Sequence, residues 1–317
     1  MSRRSALKLF GAATATLAMG GIVPITACSS RKGEKLSKKR LVFFFTGTGN
    51  SLYVAKSLVA DGGTALSIPQ LLKEKDLNFE ADEIGLVYPK YREIPEIVKE
   101  FLTRAQFKCD YFFGVITYGR HLRNDAQTLV DAMQEKKVKV AYVNGVKMAD
   151  NRLQRFDMAQ ELKENDPSKI DAAIAAIVKD VDARKQYVLE GEEGGPHHAG
   201  GHPGGGDVRH HFVKASEMFE ITDACIGCNI CEYVCPRGCY SIENDHAVCD
   251  GMCEQCLACA QACPQLAIAP TEGDANPKAG RPVLHHRRIH LRRHPAGIVL
   301  SEQTQSAGTH LGKDRFL

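Results

Sequence analysis

Apolar and polar positions change period several times along the chain, and the changes mark out its elements. Residues 41–46 (LVFFFT) form an uninterrupted apolar run of strand length. Runs at 83–89 (EIGLVYP), 111–118 (YFFGVITY) and 137–143 (KVKVAYV) share this character, and a shorter β segment at 64–68 makes five. Between them apolar residues recur at helical spacing, in NSLYVAKSLVA after the first run and then at 95–104, 124–135 and 170–189. Strands apolar on both faces and alternating with helices predict an α/β domain, a doubly wound five-stranded parallel sheet covered on each side, over 40–190.

The period is lost at 191–206, GEEGGPHHAGGHPGGG, where half the positions are glycine and no packed element can form. This reads as a linker, 191–211, and His197, His198, His202, His210 and His211 in it as solvated side chains rather than a strong metal site. Residues 212–270 are cysteine-rich and predict a second, small α+β domain. Residues 271–317 have little apolar periodicity and read as an unstructured basic tail; Arg287, Arg288, Arg292 and Arg293 there offer a contact for a membrane surface.

At the other end, Arg3, Arg4 and Lys8 precede an apolar stretch and then ITAC, ending at Cys28. SRRSALK resembles the twin-arginine export motif, with Ala6 where phenylalanine is usual, and ITAC resembles a lipobox. The resemblance implies that 1–28 is an export segment, that Cys28 is lipidated, and that 29–39 is a tether. It places the protein on the outer face of the cytoplasmic membrane, or in the cytoplasm if the segment is not used. Twin-arginine export carries folded proteins, which suits a cofactor inserted beforehand.

Composition narrows the function. The 317 residues are 44% hydrophobic and 25% charged, as in folded soluble proteins, and a net charge of +3 gives no case for nucleic acid. Twelve cysteines is the unusual number, because ten lie between Cys225 and Cys263. CIGCNICEYVCP carries Cys225, Cys228, Cys231 and Cys235; CEQCLACAQACP carries Cys253, Cys256, Cys259 and Cys263. Each is C-x2-C-x2-C-x3-C-P, the spacing of bacterial two-cluster ferredoxins, in which the fourth cysteine of each run ligates the other cluster. One [4Fe–4S] cluster is then assigned to Cys225, Cys228, Cys231 and Cys263, the other to Cys253, Cys256, Cys259 and Cys235. Zinc, held by two cysteine pairs, would leave the third cysteine of each run idle. Cys109 reads as a small buried hydrophobe, and Cys239 and Cys249 flank the clusters out of register.

The other candidate site is TGTGNS, residues Thr46, Gly47, Thr48, Gly49, Asn50 and Ser51, between the first strand and a helix. Backbone N–H groups in such a turn and the helix N-terminus favour a phosphate, with the hydroxyls and the Asn50 amide as further donors. No lysine follows as in a P-loop, and Leu52 stands where a dinucleotide fingerprint has its third glycine. VFFFTGTGNSLYVAKSL resembles the FMN phosphate loop of flavodoxins. That resemblance implies FMN, and points to Tyr88, Pro89 and Tyr91 in one later loop, and Tyr118 and Gly119 in another, as neighbours of the flavin ring. Tyr88 and Tyr118 can equally be residues that end core strands; Arg120 and His121, which follow Tyr118, read either as contacts for a substrate or partner near the flavin or as ordinary polar loop residues.

Flavodoxin-like and ferredoxin segments in this order, with VKMADN at 146–151, resemble a family of bacterial flavodoxin–ferredoxin fusion proteins over about residues 40–270. The resemblance implies an electron-transfer protein that passes electrons between FMN and two [4Fe–4S] clusters. Its partners would be redox proteins or membrane electron carriers. Two other readings are an FMN-dependent reductase of a small acceptor such as a quinone, and an iron- or metal-storage protein.

Overall fold

The computed structural model describes residues 40–191 (61, 92, 153–155 and 157 excepted), 213–271, 290–294 and 297–301. The export segment, the tether, most of the Gly/His linker and most of the basic tail lie outside the described residues.

Alternation along the first strand divides the core in two. In β1 (Arg40–Phe44) Val42 faces one side, while Leu41 and Phe43 face the other. β2 (Thr64–Ser67), β3 (Glu83–Pro89), β4 (Tyr111–Tyr118), β5 (Val140–Lys147) and β6 (Tyr187–Val188) complete the sheet. The strand order is β2-β1-β3-β4-β5-β6, and every pairing is parallel. Helices α1 (Asn50–Leu58) and α4 (Pro167–Asp182) bury Val54, Leu58, Ile174 and Ile177 on the Val42 side. Helices α2 (Glu96–Arg104) and α3 (Asp125–Glu135) bury Phe101 and Leu129 on the Phe43 side. The fold is therefore α/β with a six-stranded parallel sheet covered on both faces.

The sheet has six strands where the sequence predicts five. The last helix stops at Asp182 rather than 189, and Tyr187–Val188 pairs with Tyr142 and Val143 of β5. Two residues are too few to show a period of their own. β5 also runs on to Lys147 through Asn144-Gly145, which a turn-like dipeptide hides. Asn78–Glu80 pairs with Gln106–Lys108 as a small parallel ladder at the margin of the Phe43 side. In the tail expected to lack structure, His290–His294 pairs antiparallel with Gly297–Ser301, whose β-branched run suits a strand.

Position β1 is pinned by charge. The buried Arg40 donates to Glu83 (2.7 Å), Leu58 O (2.8 Å) and Asp182 (2.8 Å), and Arg184 donates to the second oxygen of Glu83 (2.9 Å). This network fixes the N-terminal ends of β1 and β3, so their other ends carry the loops of the candidate site.

The cysteine-rich segment is made of short pieces: antiparallel ladders between Phe219–Ile221 and Ile268–Pro270, Tyr240–Glu243 and His246–Cys249, and Val213–Lys214 and Met252–Cys253. Two five-residue helices, Ile230–Val234 and Ala258–Ala262, pack between them. Four cysteines, Cys231, Cys239, Cys259 and Cys263, lie among its buried core residues, with Phe219, Tyr240 and Ile268. Among the described residues, no helix is long and apolar enough to cross a membrane.

Candidate functional site

The glycine-rich turn leaves the end of β1 and opens α1. Gly49 caps that helix at φ +107°, a conformation that favours glycine, with open space where a side chain would stand. Gly49 N donates to Thr46 Oγ1 (3.0 Å), Asn151 Nδ2 donates to Thr48 Oγ1 (2.5 Å), and Asn50 Nδ2 donates to Ala149 O (3.2 Å). Ser51, fully buried, shares a hydrogen bond with Thr117 Oγ1 (2.8 Å). Thr48, Asn50 and Ser51 thus tie the turn to residues 149–151 and to β4, with Thr46 bonded inside the turn, while Thr46 and Thr48 act there as acceptors and keep their O–H groups for a ligand. The backbone N–H groups of the first turn of α1, which lack partners within the helix, remain to meet an anion on the open side of Gly49.

The two ring loops are placed differently from one another. Tyr88 is 1% exposed and packs into the core, its hydroxyl without a hydrogen-bond partner; burial, then Asp125, raises its pKa. It is a residue that ends a core strand. Pro89 is half-buried, and Tyr91 meets Phe45 edge-on at 6.2 Å. Tyr118 ends β4, packs beside Gly145, and its carbonyl accepts Met148 N (2.8 Å). Gly119 lies against Asp150, whose Cβ is 2.5 Å from where a Cβ on Gly119 would stand. Arg120 pairs with the buried Glu161, which also accepts Asp150 N (2.9 Å), so Arg120 holds the 149–151 segment in place. Asp150, Asn151, Thr117 and Glu161 are members of this site that spacing does not reveal; VKMADN is a signal for Asp150 and Asn151 alone.

The doubled cysteine run is doubled in backbone as well. Gly227 (φ +61°) and Gln255 (+57°) hold the same place in the two runs, as do Asn229 (+68°) and Leu257 (+60°), and Gly238 (+65°) and Leu266 (+52°). Cys235 N bonds Cys231 O (3.2 Å) and Cys263 N bonds Cys259 O (3.1 Å). Four residues past each run's last cysteine a backbone N–H points at its sulfur: Cys239 N to Cys235 Sγ (3.3 Å), Ala267 N to Cys263 Sγ (3.2 Å). Further donors reach Cys225 (Ala247 N, 3.4 Å), Cys253 (Gln255 N, 3.2 Å) and Cys259 (Tyr240 Oη, 3.1 Å).

These turns bring the cysteines together in two groups. Cys225, Cys228, Cys231 and Cys263 line one solvent-open hollow, with Ile226, Ile242 and Ile268. Cys235, Cys253, Cys256 and Cys259 sense one another: burial first, then Cys259, Cys253 and Cys235, push the Cys256 thiol well up. Burial likewise raises Cys231 and Cys253 to about 11 and Cys259 to about 12. Cys235 goes the other way, to about 6, through hydrogen bonding from Cys239. Mostly, then, thiolates here need a compensating cation to stay ionised. Among the described residues, no three Cys, His, Asp or Glu side chains converge closely enough to share a single metal ion. Cys109 is half-buried and raised to about 11, chiefly by burial; Cys239 is buried, and its Sγ donates to Met252 O (3.4 Å).

The two candidate sites meet. A Cβ on Gly47 would stand 2.4 Å from Cys256 O, 2.9 Å from Cys256 Cβ and 2.9 Å from Tyr91 Oη, so only glycine allows this approach. Cys256 and Ala258 join the apolar cluster that holds Phe45, Ile94 and Ile97. Around them the buried Glu254 accepts Arg237 Nε (2.8 Å) and Ile97 N (3.2 Å), Arg237 reaches Glu100 (2.6 Å), and Gln261 Nε2 donates to Asn151 O (2.9 Å).

No family model matches the chain, and no solved structure matches it. A stretch of 55 residues is 41% identical to pyruvate synthase subunit PorD of Methanothermobacter marburgensis. It covers 17% of this chain and 65% of that subunit, so the chain spans just under two thirds of its relative's length.

Proposed function

We propose that the protein is an electron carrier joining a flavodoxin-like FMN domain to a ferredoxin-like domain with two [4Fe–4S] clusters. The observation that carries this reading is the duplicated cysteine turn, which gathers three thiols of one run and the last of the other around a single hollow. A zinc ion needs its four donors on one point, whereas thiols on a multi-iron cage stand apart, one to each iron. The N–H and O–H groups aimed at Cys225, Cys235, Cys253, Cys259 and Cys263 suit sulfurs that carry negative charge. The identity to a pyruvate synthase subunit accords with an iron–sulfur electron-transfer role.

For FMN the support is the sheet order β2-β1-β3-β4-β5, the order of flavin-binding doubly wound folds, with the switch in direction beside β1. The open N-terminal turn of α1 lies at that switch, and its N–H groups would hold the phosphate. FMN exchanges one or two electrons and a [4Fe–4S] centre exchanges one, so together they adapt two-electron to one-electron traffic. The chain's own part is to hold the cysteine turns and the glycine turn in contact, with Cys256 and Tyr91 keeping water from the Gly47 side. The proposal extends to export by residues 1–28, membrane tethering through Cys28, and redox proteins or membrane carriers as partners; these rest on the sequence alone.

Anaerobic purification followed by iron, sulfide and flavin counts tests the reading. The expected result is FMN with about eight irons and a [4Fe–4S] EPR signal on reduction. Replacing Cys228 and Cys256 with serine should remove the brown absorbance. A colourless protein, or absorbance that survives both changes, refutes it.

A further inference from the structure

We infer that the two cysteine sets have different positions in the electron path. The set of Cys253, Cys256, Cys259 and Cys235 is the inner centre facing the flavin. The set of Cys225, Cys228, Cys231 and Cys263 is the outer centre, where a basic one-electron carrier protein docks. This rests on the functional reading above and adds an order to it.

The sequence runs are near copies, but their surroundings are not. Cys256 is 9% exposed, and its backbone lies against Gly47 of the turn that opens α1. Tyr91, from the loop after β3, fills the same seam; burial first, then Cys256, raises its pKa. In the other run the corresponding Cys228 is exposed, and its neighbour Ile226 is 59% exposed, as is Tyr233 at 58%. Large apolar side chains standing beside an exposed redox centre give a partner a dry place to sit. Within residues 219–250 the exposed charged side chains are all acidic: Glu220, Asp223, Glu232, Glu243, Asp245 and Asp250. Arg237, the one arginine there, is committed to Glu254 and Glu100 at the seam. Acidic charge spread over the segment that presents Cys228 favours a cationic partner by steering its approach.

With both centres loaded, one electron would pass to the partner's one-electron acceptor per encounter, with no bond made or broken; the chain's part is to hold Cys256 against the Gly47 turn and to leave Cys228 exposed to the partner.

The experiment has two readouts on the anaerobic holoprotein. With cytochrome c as the basic acceptor, the double variant Asp223→Lys/Glu232→Lys should oxidise about tenfold more slowly at low salt, and the difference should vanish at high salt. An unchanged rate overturns the docking face, and this variant leaves every cysteine in place. The second readout is the microwave-power saturation of the flavin radical, since a nearby iron–sulfur centre speeds its relaxation. Cys256→Ser should leave a slowly relaxing radical, and Cys228→Ser a fast one. Equal relaxation in the two variants, or the reverse order, overturns the assignment of inner and outer. A wild-type preparation without flavin or iron would overturn the functional reading as well, and so is told apart from these outcomes.

Discussion

The Tyr240 hydroxyl donates to Cys259 Sγ at 3.1 Å from a ring that is 4% exposed, so no water can replace it. Burial first, then Cys259, raises the phenol above its ordinary pKa; it therefore stays a protonated donor throughout the working pH range. Tyr240→Phe keeps the ring and removes this one bond. A hydrogen bond to a charged acceptor contributes about 1.5–3 kcal/mol. Reduction adds one electron, shared over the whole cage, so only part of that bond strength separates the two oxidation states. A difference of about 0.5–1 kcal/mol corresponds to a midpoint roughly 20–40 mV more negative for a one-electron centre. EPR-monitored potentiometry should show the shift in the centre that Cys256→Ser abolishes and none in the other. It should be flat from about pH 6 to 9, because the donor does not titrate there. A midpoint unmoved, moved upward, or moved in the Cys228 centre refutes the reasoning.

Other substitutions test the frame around the site. Glu83→Ala removes the 2%-exposed carboxylate shared by Arg40 and Arg184, and should cost about 3 kcal/mol in denaturant unfolding; less than about 1 kcal/mol contradicts a buried network. Gly47→Ala drives a methyl into Cys256 O, whereas Gly49→Ala meets only open space at a strained φ. The first should disturb the EPR signal of the Cys256 centre, and the second should weaken FMN retention while sparing that signal; like effects from both contradict the seam. Burial holds the Glu254 carboxyl above the ordinary carboxylate range, so the folded chain binds its proton more tightly than the unfolded chain does. This contribution is largest at low pH and is lost as pH rises through the raised value. Glu254→Gln should therefore flatten the decline of Tm above about pH 4.5, and an unaltered slope shows that Glu254 is not its source.

Much of this was legible in the chain because it is written at short range. Strands β1, β3 and β4 are apolar on both faces, and the glycine turn and the two cysteine runs are local patterns of six to twelve letters. What the sequence hid depends on contacts between distant residues. The sixth strand exists because two residues meet an open sheet edge. Tyr88 ends a strand like Tyr118, yet Tyr88 turns into the core while Tyr118 stays half-buried, a difference set by packing rather than by spacing. Thr48 and Asn50 read as free ligand donors, but Thr48 accepts from Asn151 and the Asn50 amide donates to Ala149 O across the fold. Gly47 reads as a phosphate-loop glycine; its neighbour Cys256 comes from the cysteine-rich segment, about 200 residues on, and nothing in TGTGNS names it.

The backbone of the second cysteine run carries an argument that its letters do not. Where the first run uses Gly227 and Gly238 for left-handed conformations, the second puts Gln255 and Leu266 there, and Leu257 answers Asn229. Each such side chain costs roughly 1–2 kcal/mol in that region. Local preference therefore opposes the second copy of the turn at three places and favours the first. The two nonetheless follow the same path, with the same N–H-to-sulfur bond four residues after the last cysteine. A shape kept against propensity is imposed from outside the residues that adopt it. The packing of Leu257 and Ile268 accounts for part of that, but apolar packing would not also aim polar hydrogens at thiols. What both turns have in common is the four sulfurs each helps to present, and the proposed clusters would supply the constraint that fits two sequences to one path.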